Sequence, residues 1–444
     1  MAVSWQRRVW QLALPLIATN VSVPLLGAVD TAVVGHLDDP RHMGAVAVGA
    51  LIVSALFWGF GFLRMSTTGL AAQAVGANAA DEVRAVLLRA LVLALGLGTG
   101  LILLQHPLSW LALELMQPST EVRELGASYI HIRIWSAPAV LAGYALVGWF
   151  LGIQRPAAGL VISLVMNGIN IVLDLWFVMG LGWGVAGVAW ASLIAEVSAL
   201  GLWLWLLRRQ LLRLGGRWRL RALRDSELGR MVHINGDIFL RTLCLIGAFY
   251  AFTSVGARQG DVVLAANAVL LNFLSITSHV LDAFAHATEA LAGEALGERN
   301  RRAFRAVVVT AGGWALAFAA GFSLVYAIFG ENLVALLTDL AEVRATAALY
   351  LPWVVATPLV AVWSYQLDGI FLGATRSRAM RNSSLLSVVI YAFAVALFVT
   401  EWQNHGLWLA LMILFAARAV TLGAVYPGLE RSVTGEAVSE SSKP

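Results

Sequence analysis

Long apolar stretches run the whole length of the chain, each close to the ~20 residues that carry a helix across a bilayer core. Short polar interruptions separate them. The short alternating segments of a transmembrane β-barrel are not the pattern. The stretches predict helices at about 10–36, 44–70, 84–106, 122–152, 157–180 and 184–207. A second set follows at about 231–256, 262–290, 304–328, 343–373, 383–400 and 405–427. The expected fold class is an all-α polytopic membrane protein with twelve transmembrane helices. Arg7 and Arg8 precede the first stretch as in a secretion signal, but that stretch contains Pro15, Pro24 and Asp30 and runs to about His36. A signal has a shorter apolar region of ~7–15 residues and a small-residue cleavage site. The stretch reads as the first span.

Arginine orients the spans, because cytoplasmic loops near helix ends attract Lys and Arg. Arg7 and Arg8, Arg155, the group from Arg299 to Arg302 and the group Arg376, Arg378 and Arg381 all fall on one side. So does a run holding Arg208, Arg209, Arg213, Arg217, Arg219, Arg221, Arg224 and Arg230. Both termini are expected in the cytoplasm, and the protein in a cell membrane (the inner one in a Gram-negative cell). The expected division is an N-lobe at 1–207, an Arg-rich cytoplasmic linker at 208–230, a C-lobe at 231–428 and a polar tail at 429–444. The linker is either an RNA- or lipid-binding patch or a topogenic connection, and the positive-inside rule favours the second.

Composition narrows the class further. Hydrophobic residues make up 59% and charged residues 13%, against about 25% charged in a soluble domain. Mean hydropathy is +0.78. The net charge of +4 comes from loop arginines, which fits a membrane surface better than nucleic acid. Cys244 is the only cysteine, so neither an intrachain disulfide nor a Cys-based metal site can form. Neither H-E-x-x-H nor G-x-S-x-G occurs, which argues against a membrane-embedded protease or lipid transferase.

The second half repeats the first. Val34-Gly35 recurs as Val255-Gly256, the stretch Ala71 to Val86 as Ala292 to Val307, and GWFLGIQR from Gly148 as GIFLGATR from Gly369, each 221 residues on. With an even number of helices per repeat, both halves enter the membrane the same way, related by a pseudo-two-fold axis along its normal. That architecture puts a substrate cavity between lobes and alternates its access by rocking. It does not name a substrate.

Charges inside the spans point to chemistry, since each costs ~2.5–3.5 kcal/mol at the bilayer centre. One group is Asp30 on the first helix with Asn167, Asn170 and Asp174 on the fifth and Ser192 on the sixth. Asn170 and Asp174, at i and i+4, share a face. Two carboxylates brought together in a dry site do not both stay ionised easily, and a proton or Na⁺ relieves the repulsion. Asn and Ser oxygens suit either a Na⁺ ion or a protonated acid. The plainer alternative is a polar cluster that only joins helices; the cost of inserting Asp favours the functional one. Pro15 and Pro24 permit a bend in the Asp30 helix. Asp30, Asn170 and Asp174 align with Ala251, Tyr391 and Val395 of the second half, so the cluster has no copy.

The second group lies in the C-lobe. Asp237 and Arg241, at i and i+4, are placed to neutralise each other, as an ion pair at least as readily as a transport site. Asp282, His286 and Glu289 share a helix face, with function and structure evenly open and only a weak metal motif. Glu289, and Asp368 near Gln366, read as lying toward cytoplasmic helix ends and partly solvated. Arg241 reads as the only deeply placed arginine, which disfavours a flippase for lipid-linked phosphates.

Two six-helix repeats, the Asp in PLLGAVDTAVVGHL and the segment NGINIVLD resemble the multidrug and toxic compound extrusion (MATE) family. LDAFAHATEALAGEALG and QLDGIFLGATRSRAMRN are similar to its DinF branch. The resemblance spans about Arg7 to Pro427. It implies antiport of organic, often cationic and amphipathic, compounds against H⁺ or Na⁺, with no cofactor. It makes Asp30 the central protonatable residue, Asn170 and Asp174 its partners, and Pro15 the bending proline. It carries no C-lobe ion site to this chain. The expected partners are a small organic substrate and the lipid bilayer, not nucleic acid, and the expected state is a monomer.

Overall fold

The computed structural model describes residues 4–34, 40–218 and 220–433, and side chains throughout these except at 21–40 and at Leu220. The side chains of Asp30 and Pro24, the predicted helix end at His36, all of Arg219 and the tail beyond residue 433 therefore lie outside the described residues. Among the described residues there is no strand. The helices are α1 Trp5–Val34, α2 Pro40–Trp58, α3 Phe62–Gly76, α4 Ala80–Leu103, α5 Gln105–Met116, α6 Thr120–Arg133, α7 Ala137–Gly152, α8 Ala157–Asp174 and α9 Gly184–Leu214. They continue as α10 Ser226–Ala257, α11 Asp261–Gly297, α12 Arg301–Leu337, α13 Ala341–Gly373 and α14 Ser377–Ser432.

Ten helical stretches among the described residues are long and apolar enough to cross a membrane. Some combine elements: α2 with α3 across a turn at Gly59–Gly61, and α6 with α7 through a 3₁₀ turn at Ile134–Ser136. The predicted pair at 383–400 and 405–427 is one long element, α14, broken at Gln403, whose φ is 52°. That break and α1 bring the spans to the twelve expected. The helices overrun the apolar stretches that revealed them. α11 and α12 each have 37 residues, a rise of about 55 Å, where the hydrocarbon core is only ~30 Å thick. Hydropathy reports the part in lipid; the backbone goes on bonding beyond it. The twelve-residue α5 is too short to span, and the apolar pattern did not separate it.

Contacts divide the chain into two compact units: Met1–Leu14, Ala72–Asn78 and His233–Pro444 in one, Pro15–Ala71 and Ala79–Val232 in the other. In the unit that holds most of the first half, α4 packs on α7, α8 on α9 and α2 on α6. The Arg-rich segment is held here by two arginines of α4. Arg84 donates to the Leu211 and Gly215 carbonyls, each at 2.6 Å. Arg89 donates to the Ala222 carbonyl at 3.0 Å and pairs with Glu82 at 2.6 Å and Asp225 at 2.8 Å.

In the other unit, α11 packs on α13 and α12, and α13 on α14. The first turns of α1 belong to it: Arg8 pairs with Glu294, and the Trp10 ring meets Phe284 edge-on with centroids 5.6 Å apart. α1 is helical through both prolines, and Pro15 is the residue at which its packing passes from one unit to the other.

The repeat is visible in the packing. A Cβ at Gly148 would fall on the Arg64 carbonyl, and a Cβ at Gly369 on the Ala285 carbonyl. Arg64 and Ala285 are as far apart in sequence as the two glycines, so one helix crossing is built twice. Gly76 and Gly297 go further: a Cβ on Gly76 would fall on the Glu294 carbonyl, and one on Gly297 on the Gln73 carbonyl. Each copy of the motif rests on the backbone of the other. Gly148→Ala is therefore expected to cost about 1–3 kcal/mol, since a carbonyl cannot swing aside. Gly143 of the same helix has open space around it, and Gly143→Ala should cost nothing. Thermal unfolding of the two variants in detergent checks the contrast.

Candidate functional site

The polar face of α8 builds the site. Val161, Leu164 and Val172 are exposed along the helix, while Asn170 and Asp174 are buried one turn apart on the same side. Asn167, three residues before Asn170, is half-buried. α9 packs against α8 and brings the buried Ser192 within reach: Asn170 Nδ2 donates to Ser192 Oγ at 3.3 Å. Asn170 Oδ1 is a buried amide acceptor with no hydrogen-bond partner among the described residues. Asp174 is fully buried. At Asp174 the α-helix ends and a π-helical turn, Leu175–Gly180, begins. Wide turns of this kind are rare and frequent at functional sites, and sequence periodicity gave no sign of it. The structure thus brings Asn170, Asp174 and Ser192 into one neighbourhood. Asp30 lies on the helical backbone of α1, with its side chain outside the described residues.

A second charged pair in the same unit escaped the sequence reading. α6 ends at Arg133, and the 3₁₀ turn after it is tied back by Ser136 Oγ, which donates to the Arg133 carbonyl at 2.7 Å. This turn points the guanidinium at α9. There Arg133 Nη2 donates to Glu196 Oε1 at 2.8 Å and Nη1 to the other carboxylate oxygen, a two-pronged pair. Glu196 is one turn beyond Ser192. The signal was present: an acid and a base inside two apolar spans carry the same insertion cost that singled out Asp30.

The C-lobe group is arranged otherwise than expected. Asp237 and Arg241 take different partners. Asp237 accepts from Arg381 at 2.7 Å through one oxygen and from Ser377 Oγ at 2.8 Å through the other. Arg241 and Arg418 both bond to Asp368 Oδ2. An i,i+4 pair is worth only ~0.2–0.5 kcal/mol, whereas a buried carboxylate left alone costs several kcal/mol. The long arginines therefore go to the acids that most need them. Glu289 and Asp368 are 0% and 7% exposed, so neither is partly solvated, because α11 and α13 extend past both. Nor is Arg241 the only deep arginine: Arg418 is 3% and Arg133 8% exposed. Asp282 and His286 are half-buried and Glu289 is fully buried. Among the described residues, no group of three or more His, Cys, Asp or Glu side chains is arranged to hold a metal ion. Thr288 Oγ1 donates to Gln366 Oε1 at 3.0 Å, a contact between α11 and α13.

Comparison with known proteins places the chain. Its sequence is similar to DNA damage-inducible protein F of Escherichia coli K12, 44% identical over 436 residues, with 95% of this chain and 92% of that protein covered. Its fold matches a multidrug resistance MATE family transporter of the MOP superfamily, solved in an outward-facing conformation, with a TM-score of 0.87, 18% identity and 97% of each chain covered. It also matches the Vibrio cholerae MATE transporter VcmN in its bent form, with a TM-score of 0.85, 19% identity and 97% and 98% of the two chains covered. The sequence profile described as MatE matches residues 15–176 and again 238–398, one match in each half of the repeat. The match in both halves, together with a relative 44% identical over nearly its whole length, shows that the chain belongs to the MatE family of multidrug and toxic compound transporters and is not an enzyme.

Proposed function

We propose that this transporter is an antiporter, exporting organic, often cationic and amphipathic, compounds from the cytoplasm in exchange for H⁺ or Na⁺. The observation that carries the reading is the buried α8–α9 constellation: Asp174 at a π-helical turn, with Asn170 bonded to Ser192 one turn away. An interior acid flanked by amide and hydroxyl oxygens can exchange a proton or hold a small hard cation. In this reading the Asp30 carboxylate of α1 and the Asn167 amide of α8 belong to the same cation site.

In the cycle, substrate enters a cavity open to the cytoplasm and the two six-helix lobes rock to open it outward. A cation then takes the Asp30 site, α1 changes shape and substrate leaves. Two features of α1 support bending near Pro15. The proline removes a backbone donor, and Thr19 Oγ1 donates back to the Pro15 carbonyl at 2.9 Å, a bond that tends to bend helices. A bent form is known for VcmN. The protein acts as a monomer in the cell (inner) membrane, with both termini in the cytoplasm.

A flippase for lipid-linked phosphates fits less well. Among the described residues the buried arginines Arg89, Arg133, Arg241 and Arg418 are each bonded to a carboxylate, which leaves little positive charge for a phosphate. The test uses purified protein in liposomes with a cationic dye as cargo, under a pH gradient or a Na⁺ gradient applied separately. Dye movement under one gradient identifies the ion; movement under neither overturns the antiport reading.

A further inference from the structure

The Arg133–Glu196 pair stands one helical turn from the site just described and takes no part in it. Ser192 and Glu196 are at i and i+4 on α9, so the carboxylate lies on the same stripe as the hydroxyl that Asn170 holds. The two side chains are 10% and 18% exposed. Arg133 Nη1 also donates to Ser136 Oγ at 3.3 Å, and Nε has no partner among the described residues. Among the described residues, Tyr144 of α7 interacts with both charges of the pair, and Tyr129 of α6 interacts with the Arg133 guanidinium. Asp174 lies further along the α8 face, and His42 of α2 faces Gly184, three turns away. In the second half, Val354 and Ala417 stand at the equivalent positions, so the pair, like the Asp30 cluster, occurs once.

Without Arg133, Glu196 would be a second interior carboxylate beside Ser192, in surroundings like those that make Asp174 a cation site. We propose that Glu196 is a latent second cation site, held shut by Arg133, whose tethered guanidinium takes the place of an exchangeable ion. The unit then exchanges one ion fewer per cycle than its interior acids allow. A fork-to-carboxylate bond is among the stronger and more directional charge pairs. Breaking a buried pair from one side leaves an uncompensated charge, which a mobile cation would relieve. This inference rests on the antiport reading, because it concerns how many ions that antiport uses.

The test measures coupled ions per substrate in proteoliposomes, from the gradient that just balances an opposing substrate gradient. Arg133→Gln should raise the ratio by one ion, and the neutral pair Arg133→Gln with Glu196→Gln should return it to the unmutated value. A pair that only braces α6 against α9 would change yield and melting but not the ratio. An unchanged ratio in folded Arg133→Gln overturns the proposal, as does a raised ratio in the double variant. If the unmutated protein shows no ion-coupled movement, the antiport reading has failed on its own account.

A second measurement needs no variant to fold. An apolar carbodiimide modifies interior carboxyl groups that carry a proton, and peptide mass spectrometry locates the label. In the unmutated protein Glu196 should stay unlabelled across the physiological pH range. Labelling of Glu196 there overturns the proposal.

Discussion

Asp30→Asn is expected to abolish ion-driven efflux while leaving the protein folded and in the membrane. The amide keeps the shape of the side chain, removes its charge and replaces one acceptor oxygen with an NH2 donor. For Na⁺, loss of a charge-assisted interaction worth ~1.5–3 kcal/mol should weaken binding about 10- to 150-fold; for H⁺, the amide leaves no carboxylate to protonate. Efflux into a liposome carrying the coupling gradient should fall to the leak rate, while substrate binding in detergent persists. Asp174→Asn should act in the same direction, since it removes a buried acid of the proposed site. Asn167→Ala should do less, because Asn167 is only half-buried. Wild-type ion-driven efflux from folded Asp30→Asn protein would remove Asp30 from the coupling site.

The largest expected effect on stability comes from Asp368→Asn. Asp368 is the carboxylate to which Arg241 and Arg418 both bond, and all three are buried. An amide there leaves two interior guanidinium groups without their anion. Removing one partner of a buried pair costs ~3–5 kcal/mol, comparable to much of a domain's net stability of ~5–15 kcal/mol. The variant should be recovered in low yield or melt far below the parent. Asp237→Asn makes the useful contrast. Its partner Arg381 keeps a third of its side chain exposed, and water can take over part of the lost pairing. Equal melting temperatures for Asp368→Asn and the parent would show that the two arginines have another anion.

The spans were legible because bilayer thickness sets their length; the fifth, at 157–180, matches to the residue the span formed by α8 and its π turn. The site was legible in part for a similar reason. Asn170 and Asp174 lie on one helix, and helical spacing reports neighbours within a helix. Spacing is silent across helices, so Asp237 was matched with Arg241, its neighbour in sequence, rather than with Arg381. Arg418 and the Arg133–Glu196 pair were passed over for the same reason, since neither has a charged neighbour one turn away on its own helix to draw attention. The π turn after Asp174 leaves apolar periodicity nearly unchanged over six residues, and nothing in composition marks it.

Gly76 and Gly297 bear on how such a chain can evolve. After a duplication, most positions in each copy drift on their own. These two cannot, because a side chain gained by either would strike the backbone of the other copy. Asp174 and its counterpart Val395 make no such demand on each other. One copy was free to acquire interior acids and arginines while the other acquired a different set. The frame is tied to its ancestor at a few glycines, and the interior was left open to invention on one side at a time.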